Sequence, residues 1–302
     1  MIQDPKKAKD LVQRTLINGM SALLIALFIF LAEINTLLKL VFTGAVGGIA
    51  SMAIWEYNAL LKKKNLDPAN SLSILVVILY IFAIFFKMQG SQTYLSLRSY
   101  SPEIILGVAL FGCFIRFMIS RKSPLLNIAS SFFGIIYIGI PFSFFVKIMY
   151  FFSYQGIDPQ LQGSWWIIYL IVSTKSADIG GYFVGSYFGK RKLAHWLSPN
   201  KTLEGALGGL FGAVIASLFV YFLGKRVSGD LFQPFSYIQV IFIGILIGIL
   251  GQIGDLAESL LKRDAGVKDS NSIPGVGGIL DMVDSLLFTA PFVYLFLKIL
   301  YC

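Results

Sequence analysis

This chain predicts an all-α integral membrane protein, a single helical membrane domain of about nine transmembrane helices, on three observations. First, 56% of its 302 residues are hydrophobic and only 14% are charged, with a mean hydropathy of +0.76. A soluble domain of this size needs no such apolar excess. Second, the apolar residues fall in runs long enough to cross roughly 30 Å of hydrocarbon as helices. Third, the connecting segments are short and leave no room for a soluble domain. An open sheet is excluded, because lipid cannot satisfy its backbone.

A window of about 19 residues places the spans near 16–33, 38–59, 71–87, 103–119, 127–148, 163–187, 205–224, 236–260 and 280–299. No small-residue cleavage site follows the first run, which reads as a retained span and not a removed signal peptide. Three regions follow: a cytoplasmic N-terminal segment, 1–15, N-terminal transmembrane spans, 16–160, and a C-terminal catalytic region, 161–302, with cytoplasm-facing polar loops. The net charge of +9 does not indicate nucleic acid, because the basic residues sit in short loops between spans. Lys6, Lys7, Lys9 and Arg14 precede the first span, and Lys62, Lys63 and Lys64 follow the second. Arg121 and Lys122 follow the fourth, Lys190, Arg191, Lys192 and Lys201 the sixth, and Lys262, Arg263 and Lys268 the eighth. With the N-terminus inside, all of these lie on the cytoplasmic face, and Lys225 and Arg226 are the exceptions. Cys113 and Cys302 fit neither a disulfide framework nor a metal site.

The chemistry concentrates in residues 251–289. As a helix, Asp255, Glu258, Ser259 and Lys262 fall at i, i+3, i+4 and i+7, on one face. Asp281, Asp284 and Ser285 repeat the spacing at the start of the next apolar run. Between them lies a basic loop broken by Pro274, Gly275, Gly277 and Gly278. Carboxylates on two facing helices can hold a divalent cation, and such a loop can bring backbone and charge to phosphates. The bland alternative is a solvated loop between spans. It is disfavoured because a charge within a span costs roughly 2.5–3.5 kcal/mol or more.

Span six carries Lys175 and Asp178 inside apolar sequence, three residues apart and able to neutralise each other, with Asp178 at a polar cavity. Gly181, Gly185 and Gly189 form a small-residue ridge, and Gly205, Gly208, Gly209 and Gly212 read as packing positions on the next helix. The intervening loop, KRKLAHWLSPNKTLEG, brings Ser198, Lys201, Thr202 and Glu204 to a helix N-terminus, where unpaired N–H groups attract phosphate. No Walker A loop occurs. His195, the only histidine, reads as an interfacial packer beside Trp196.

These residues resemble the phosphatidate cytidylyltransferase (CDP-diacylglycerol synthase) family. The resemblance is densest over about 173–289, in SADIGGYFVGSYFGKRKL, SPNKTLEGALGG, GDLAESLLKRDAGVKDS and PGVGGILDMVDS. Ser259, Lys262, Arg263, Lys268, Asp269, Pro274, Gly275, Gly277, Gly278, Asp281 and Asp284 match the family signature. Val276 stands where the family has His and Met282 where it has Arg, and the stretch between Asp269 and Pro274 is one residue short.

The resemblance implies transfer of CMP from CTP or dCTP to phosphatidate, with release of pyrophosphate, at the cell inner membrane. It implies Mg2+, admits a second, monovalent cation such as K+, and is compatible with a homodimer. Asp255, Asp281, Lys262 and Lys268 are then catalytic, and Asp255, Asp281, Asp284 and Glu258 are metal ligands. Ser198, Lys201, Thr202, Glu204, Ser259, Arg263, Asp269, Gly277, Gly278 and Asp178 bind substrate. Two other readings compete. A CTP-dependent polyprenol or phytol-type lipid kinase is opposed by the signature running through to Asp284. An ion-coupled transporter is opposed by charges crowded into one half of the chain.

Overall fold

The computed structural model describes residues 24–89, 102–157, 162–228, 235–267 and 278–301. Among these, eight helical segments are long and apolar enough to cross a membrane. They are α1 (Thr36–Lys63), α2 (Asn70–Gln89), α3 (Glu103–Ser120), the continuous run Pro124–Met149, α7 (Gly163–Phe188), α8 (Leu203–Ser228), α9 (Tyr237–Asp264) and α10 (Ile279–Tyr301). The run Pro124–Met149 comprises α4 (Pro124–Gly134), a π-turn (Ile135–Gly139) and α5 (Ile140–Met149), and a short helix, α6 (Phe151–Gln155), follows it. The eight segments coincide with the second to ninth expected spans. Of the first expected span, 24–31 are described and helical. The chain forms two compact units, 1–42 and 43–302, and the features below all belong to the second.

One stretch expected as a loop is a hairpin. β1 (Lys192–Ala194) pairs antiparallel with β2 (Ser198–Thr202), with Lys192 opposite Thr202 and Ala194 opposite Ser198. Its base is closed by the Leu203 amide donating to the Arg191 carbonyl at 2.9 Å, and its turn by Leu197 donating to Ala194 at 3.2 Å. Pro199 is tolerated because a two-stranded ribbon has a free edge on each side. Such short, polar strands carry no alternating apolar signal, which hides them from pattern reading.

Lipid provides no hydrophobic drive between helices, so close approach and hydrogen bonds hold the bundle. α7 and α8 pack through their glycine ridges. A Cβ on Gly212 would lie 2.5 Å from the Ser176 carbonyl oxygen, and one on Gly180 would lie 2.6 Å from that of Gly208. Buried hydroxyls add bonds across the interface, with Ser217 donating to Ser173 at 3.0 Å. Further upstream, the Tyr57 ring of α1 lies over Gly134 of α4, and its hydroxyl donates to the Ser130 carbonyl at 3.0 Å. The connection from α1 to α2 is tied down by α4. The Asp67 amide donates to Asn127 and the Ala69 amide to Ser131, both at 2.9 Å.

Gly212→Ala is expected to push α8 off α7 backbone. Thermal unfolding of the purified protein in detergent should show a loss of about 1–3 kcal/mol. A wild-type melting temperature would mean the two helices are not in such close contact.

Candidate active site

The acids of α9 and α10 and the lysines around them form a network of paired charges. Lys201, presented by β2, is ion-paired with Asp255 of α9. Two turns on, Lys262 lies between Glu258, at 2.5 Å, and Asp281 of α10, at 2.8 Å. Lys175 of α7 donates to Asp178 at 3.1 Å and to Ser285 of α10 at 3.3 Å, and the Ser285 hydroxyl donates to Asp178 at 3.2 Å. Asp284 is buried and accepts from the Ser285 amide. Helical spacing explains this convergence: Asp255, Glu258 and Lys262 share one flank of α9, and Asp281, Asp284 and Ser285 share one of α10. In this low-dielectric setting an unpaired charge is costly, and removing one partner of a buried pair typically costs about 3–5 kcal/mol.

Beside the network is a cavity of about 470 Å³ between α7, α8, α9 and the hairpin. Asp178, Lys201, Thr202 and Asp255 line it, together with Asn200 and Gln252. Glycines 181, 185 and 205 form part of its wall. Thr202 caps α8, its Oγ1 accepting from the Gly205 amide at 3.1 Å. Glu204 accepts from the Lys190 and Arg191 amides, at 3.0 and 3.1 Å, and so holds the hairpin's entry strand to the start of α8. Arg263 donates from Nε to the Leu197 carbonyl at 3.2 Å, locking the end of α9 to the hairpin turn.

The expected site residues therefore separate into groups. Lys201, Asp255 and Asp178 meet at the cavity with Thr202, while Glu258, Lys262 and Asp281 form an adjoining cluster. Glu204 and Arg263 shape the hairpin. Ser198 lies on β2, Ser259 is half-buried on α9, and Gly278 is buried just before α10. Lys268, Asp269 and Gly277 lie outside the described residues, as does Val276. Met282 is 50% exposed, so its replacement of the family Arg falls away from the lysine–carboxylate network. His195, at the hairpin turn, is exposed.

Among the described residues, no group of three or more His, Cys, Asp or Glu side chains is gathered closely enough to hold a metal. Lysines sit between the acids instead. The donor set is nevertheless of the right chemistry for a hard cation, since Asp255, Glu258, Asp281 and Asp284 offer only carboxylate oxygens. Glu258 is 1% exposed, and its Oε1 is buried with no hydrogen-bond partner. Carboxylate oxygens of this kind are the ligands that Mg2+ takes.

A family model described as the cytidylyltransferase family matches residues 12–300. The chain belongs to that family. A phosphatidate cytidylyltransferase of Chlamydia pneumoniae is 34% identical over 292 residues, 96% of this chain and 92% of the relative. The phosphatidate cytidylyltransferase of Bacillus subtilis is 32% identical over 294 residues, 96% of this chain and 98% of the relative. That of Haemophilus influenzae is 32% identical over 287 residues, 90% and 92% of the respective chains.

In this cytidylyltransferase, three polar residues at the site escape pattern reading. Gln252 precedes Asp255 by three residues and so shares its helix face, and Asn200 adjoins Lys201 on β2. Both signals were present in the sequence. Glu56 had none, for it lies in an apolar span far from the motif-bearing half. It is fully buried, and its carboxylate accepts from the Ile279 amide at 2.9 Å and the Leu280 amide at 2.8 Å. These are unpaired N–H groups at the N-terminus of α10, where a negative charge is also favoured by the helix dipole. Glu56 therefore fixes the start of the helix that carries Asp281.

Glu56→Ala is expected to cost about 1.5–3 kcal/mol, the range for hydrogen bonds to a charged group. Glu56→Gln keeps an acceptor and should recover part of the loss in the same melting experiment. Equal melting temperatures for the wild type and the alanine variant would rule out the cap.

Proposed function

We propose that this chain transfers the CMP group of CTP to phosphatidate, giving CDP-diacylglycerol and pyrophosphate. The observation that carries the reading is a cavity at the membrane-embedded helices, walled by glycines and lined by Lys201 and Asp255 as an ion pair. Two relatives bearing the name phosphatidate cytidylyltransferase match over 96% of the chain, which supports the same assignment. dCTP is the alternative nucleotide. The protein has the helices of a multi-pass membrane protein. We assign it to the inner membrane with the cavity facing the cytoplasm, because the loop lysines and arginines favour that side.

The reaction joins a lipid phosphate to the α-phosphorus of a nucleotide. The nucleophile is already an anion, so the barrier lies in charge repulsion and alignment and not in proton removal. The lysines address the repulsion. Lys201 and Lys262 are neutralised by carboxylates in the free protein, and a triphosphate offers them competing anionic oxygens. Asp255, Glu258, Asp281 and Asp284 would hold Mg2+, which when bound supplies charge neutralisation at the phosphates. Thr202 and the start of α8 add hydroxyl and backbone donors at the cavity wall. The resemblance adds Lys268, outside the described residues, as a further cation for the leaving pyrophosphate.

Purified protein given labelled CTP, phosphatidate and magnesium should form labelled CDP-diacylglycerol. Label appearing instead on a polyprenol or other lipid alcohol supplied with γ-labelled CTP would replace this assignment by a kinase. Asp255→Asn and Asp281→Asn are each expected to abolish transfer while the protein still purifies folded, and wild-type turnover in either would remove that residue from the site. Lys201→Ala should lower kcat/KM for CTP by about ten- to a hundred-fold. Unchanged kinetics would leave Lys201 with only a structural role. For orientation, Leu193→Cys and Val267→Cys in a Cys-free background should resist an impermeant thiol reagent in intact cells and label once the inner face is opened. Labelling of one from outside and the other from inside would separate the two loops.

A further inference from the structure

Besides Glu56, the N-terminal half brings a second polar side chain against α10. Tyr137 lies in the middle of the π-turn Ile135–Gly139. A π-turn inserts one extra residue into an α-helix and is frequent at functional sites. Here it turns Tyr137 toward α10. Its ring stacks on Phe133, with centroids 5.5 Å apart, and meets Phe288 edge-on at 6.5 Å. Phe288 lies one helical turn beyond Asp284 and within van der Waals reach of Gly254, itself one turn before Glu258. The ring is thus packed against α10 opposite Gly254, one turn before Glu258.

Two unsatisfied groups stand in this small region. The Tyr137 hydroxyl is buried with no hydrogen-bond partner, and so is Oε1 of Glu258. One is a donor and the other an acceptor. Buried polar groups in native proteins are nearly always partnered, so a donor and an acceptor both left over on packed elements point to each other.

We propose that Tyr137 and Glu258 form a hydrogen-bonded pair inside the membrane, which makes Tyr137 a positioning residue for the acid side of the site. The phenol holds the Glu258 carboxylate in one orientation when Lys262 turns to an incoming phosphate. The pair rests on the reaction proposed above for its effect on catalysis, but its existence does not.

Tyr137→Phe deletes only the hydroxyl and keeps the ring on Phe133 and Phe288, so it is a clean probe. In the full-length protein in detergent, kcat for CDP-diacylglycerol formation should fall about five- to fifty-fold, with KM for CTP and phosphatidate changed less than about twofold. A wild-type kcat, or an effect confined to KM, would overturn the positioning role. The pair itself is tested by melting temperature in a double-mutant cycle of Tyr137→Phe, Glu258→Gln and both together. The shifts should fail to add by about 2 °C or more. Additive shifts would overturn the pair whatever the enzyme's substrate. A wild type that forms no CDP-diacylglycerol but shows non-additive shifts would overturn the assigned reaction and leave the pair standing.

Discussion

A charge inside an apolar helix bundle persists only where an opposite charge or hydrogen-bond donors compensate it, and this requirement governs the catalytic half of the molecule. Lys262 meets it for two acids at once, at 2.5 Å from Glu258 and 2.8 Å from Asp281. That single ammonium group joins α9 to α10. Lys201 does the same between the hairpin and α9, and Lys175 between α7 and α10. Remove the lysines and three helices carry unpaired carboxylates toward one another in a medium that cannot solvate them. The bundle is held by the same groups that we assign to the nucleotide and the cation.

This double use has a consequence for chemistry. A lysine paired with a carboxylate is desolvated in advance, so a phosphate replaces one anionic partner with another instead of stripping water from a free ammonium. The carboxylate that is released is likewise ready for a cation. On the proposed function, a bound cation would offset part of the charge that the nucleotide brings to these ion pairs. The close α7–α8 glycine packing complements this, since it makes a wall of backbone without bulky side chains against the cavity. Rigidity there comes from backbone contact and hydroxyl bonds, and does not depend on the charges.

The N-terminal spans have a defined part in this arrangement. Glu56 anchors the first turn of α10, and through it the register at which Asp281 meets Lys262. Asn127 and Ser131 hold the connection that follows α1 against α4, and so steady the helix from which Glu56 projects. The spans upstream of the motifs are therefore a frame for the site and not only a membrane anchor.

What could be read from the sequence follows from what is local. Hydropathy located the eight described spans because burial in lipid acts residue by residue along a helix. The three- and four-residue spacing of Asp255, Glu258 and Lys262, and of Asp281 and Ser285, placed each set on one face because helical periodicity is a local property. The glycine ridges were legible for the same reason. The hairpin was not, since KLA and SPNKT have no alternating pattern and are paired by Glu204 and the Leu203 amide. Which lysine neutralises which acid was decided only in three dimensions, because Lys201 and Asp255 belong to different elements and nothing in their spacing links them. Glu56 is the extreme case. It lies in an apolar span with no motif around it, and its meaning rests on two backbone N–H groups more than two hundred residues away, 223 and 224 along the chain. Backbone donors are the same in every sequence, so only the fold shows which carboxylate they meet.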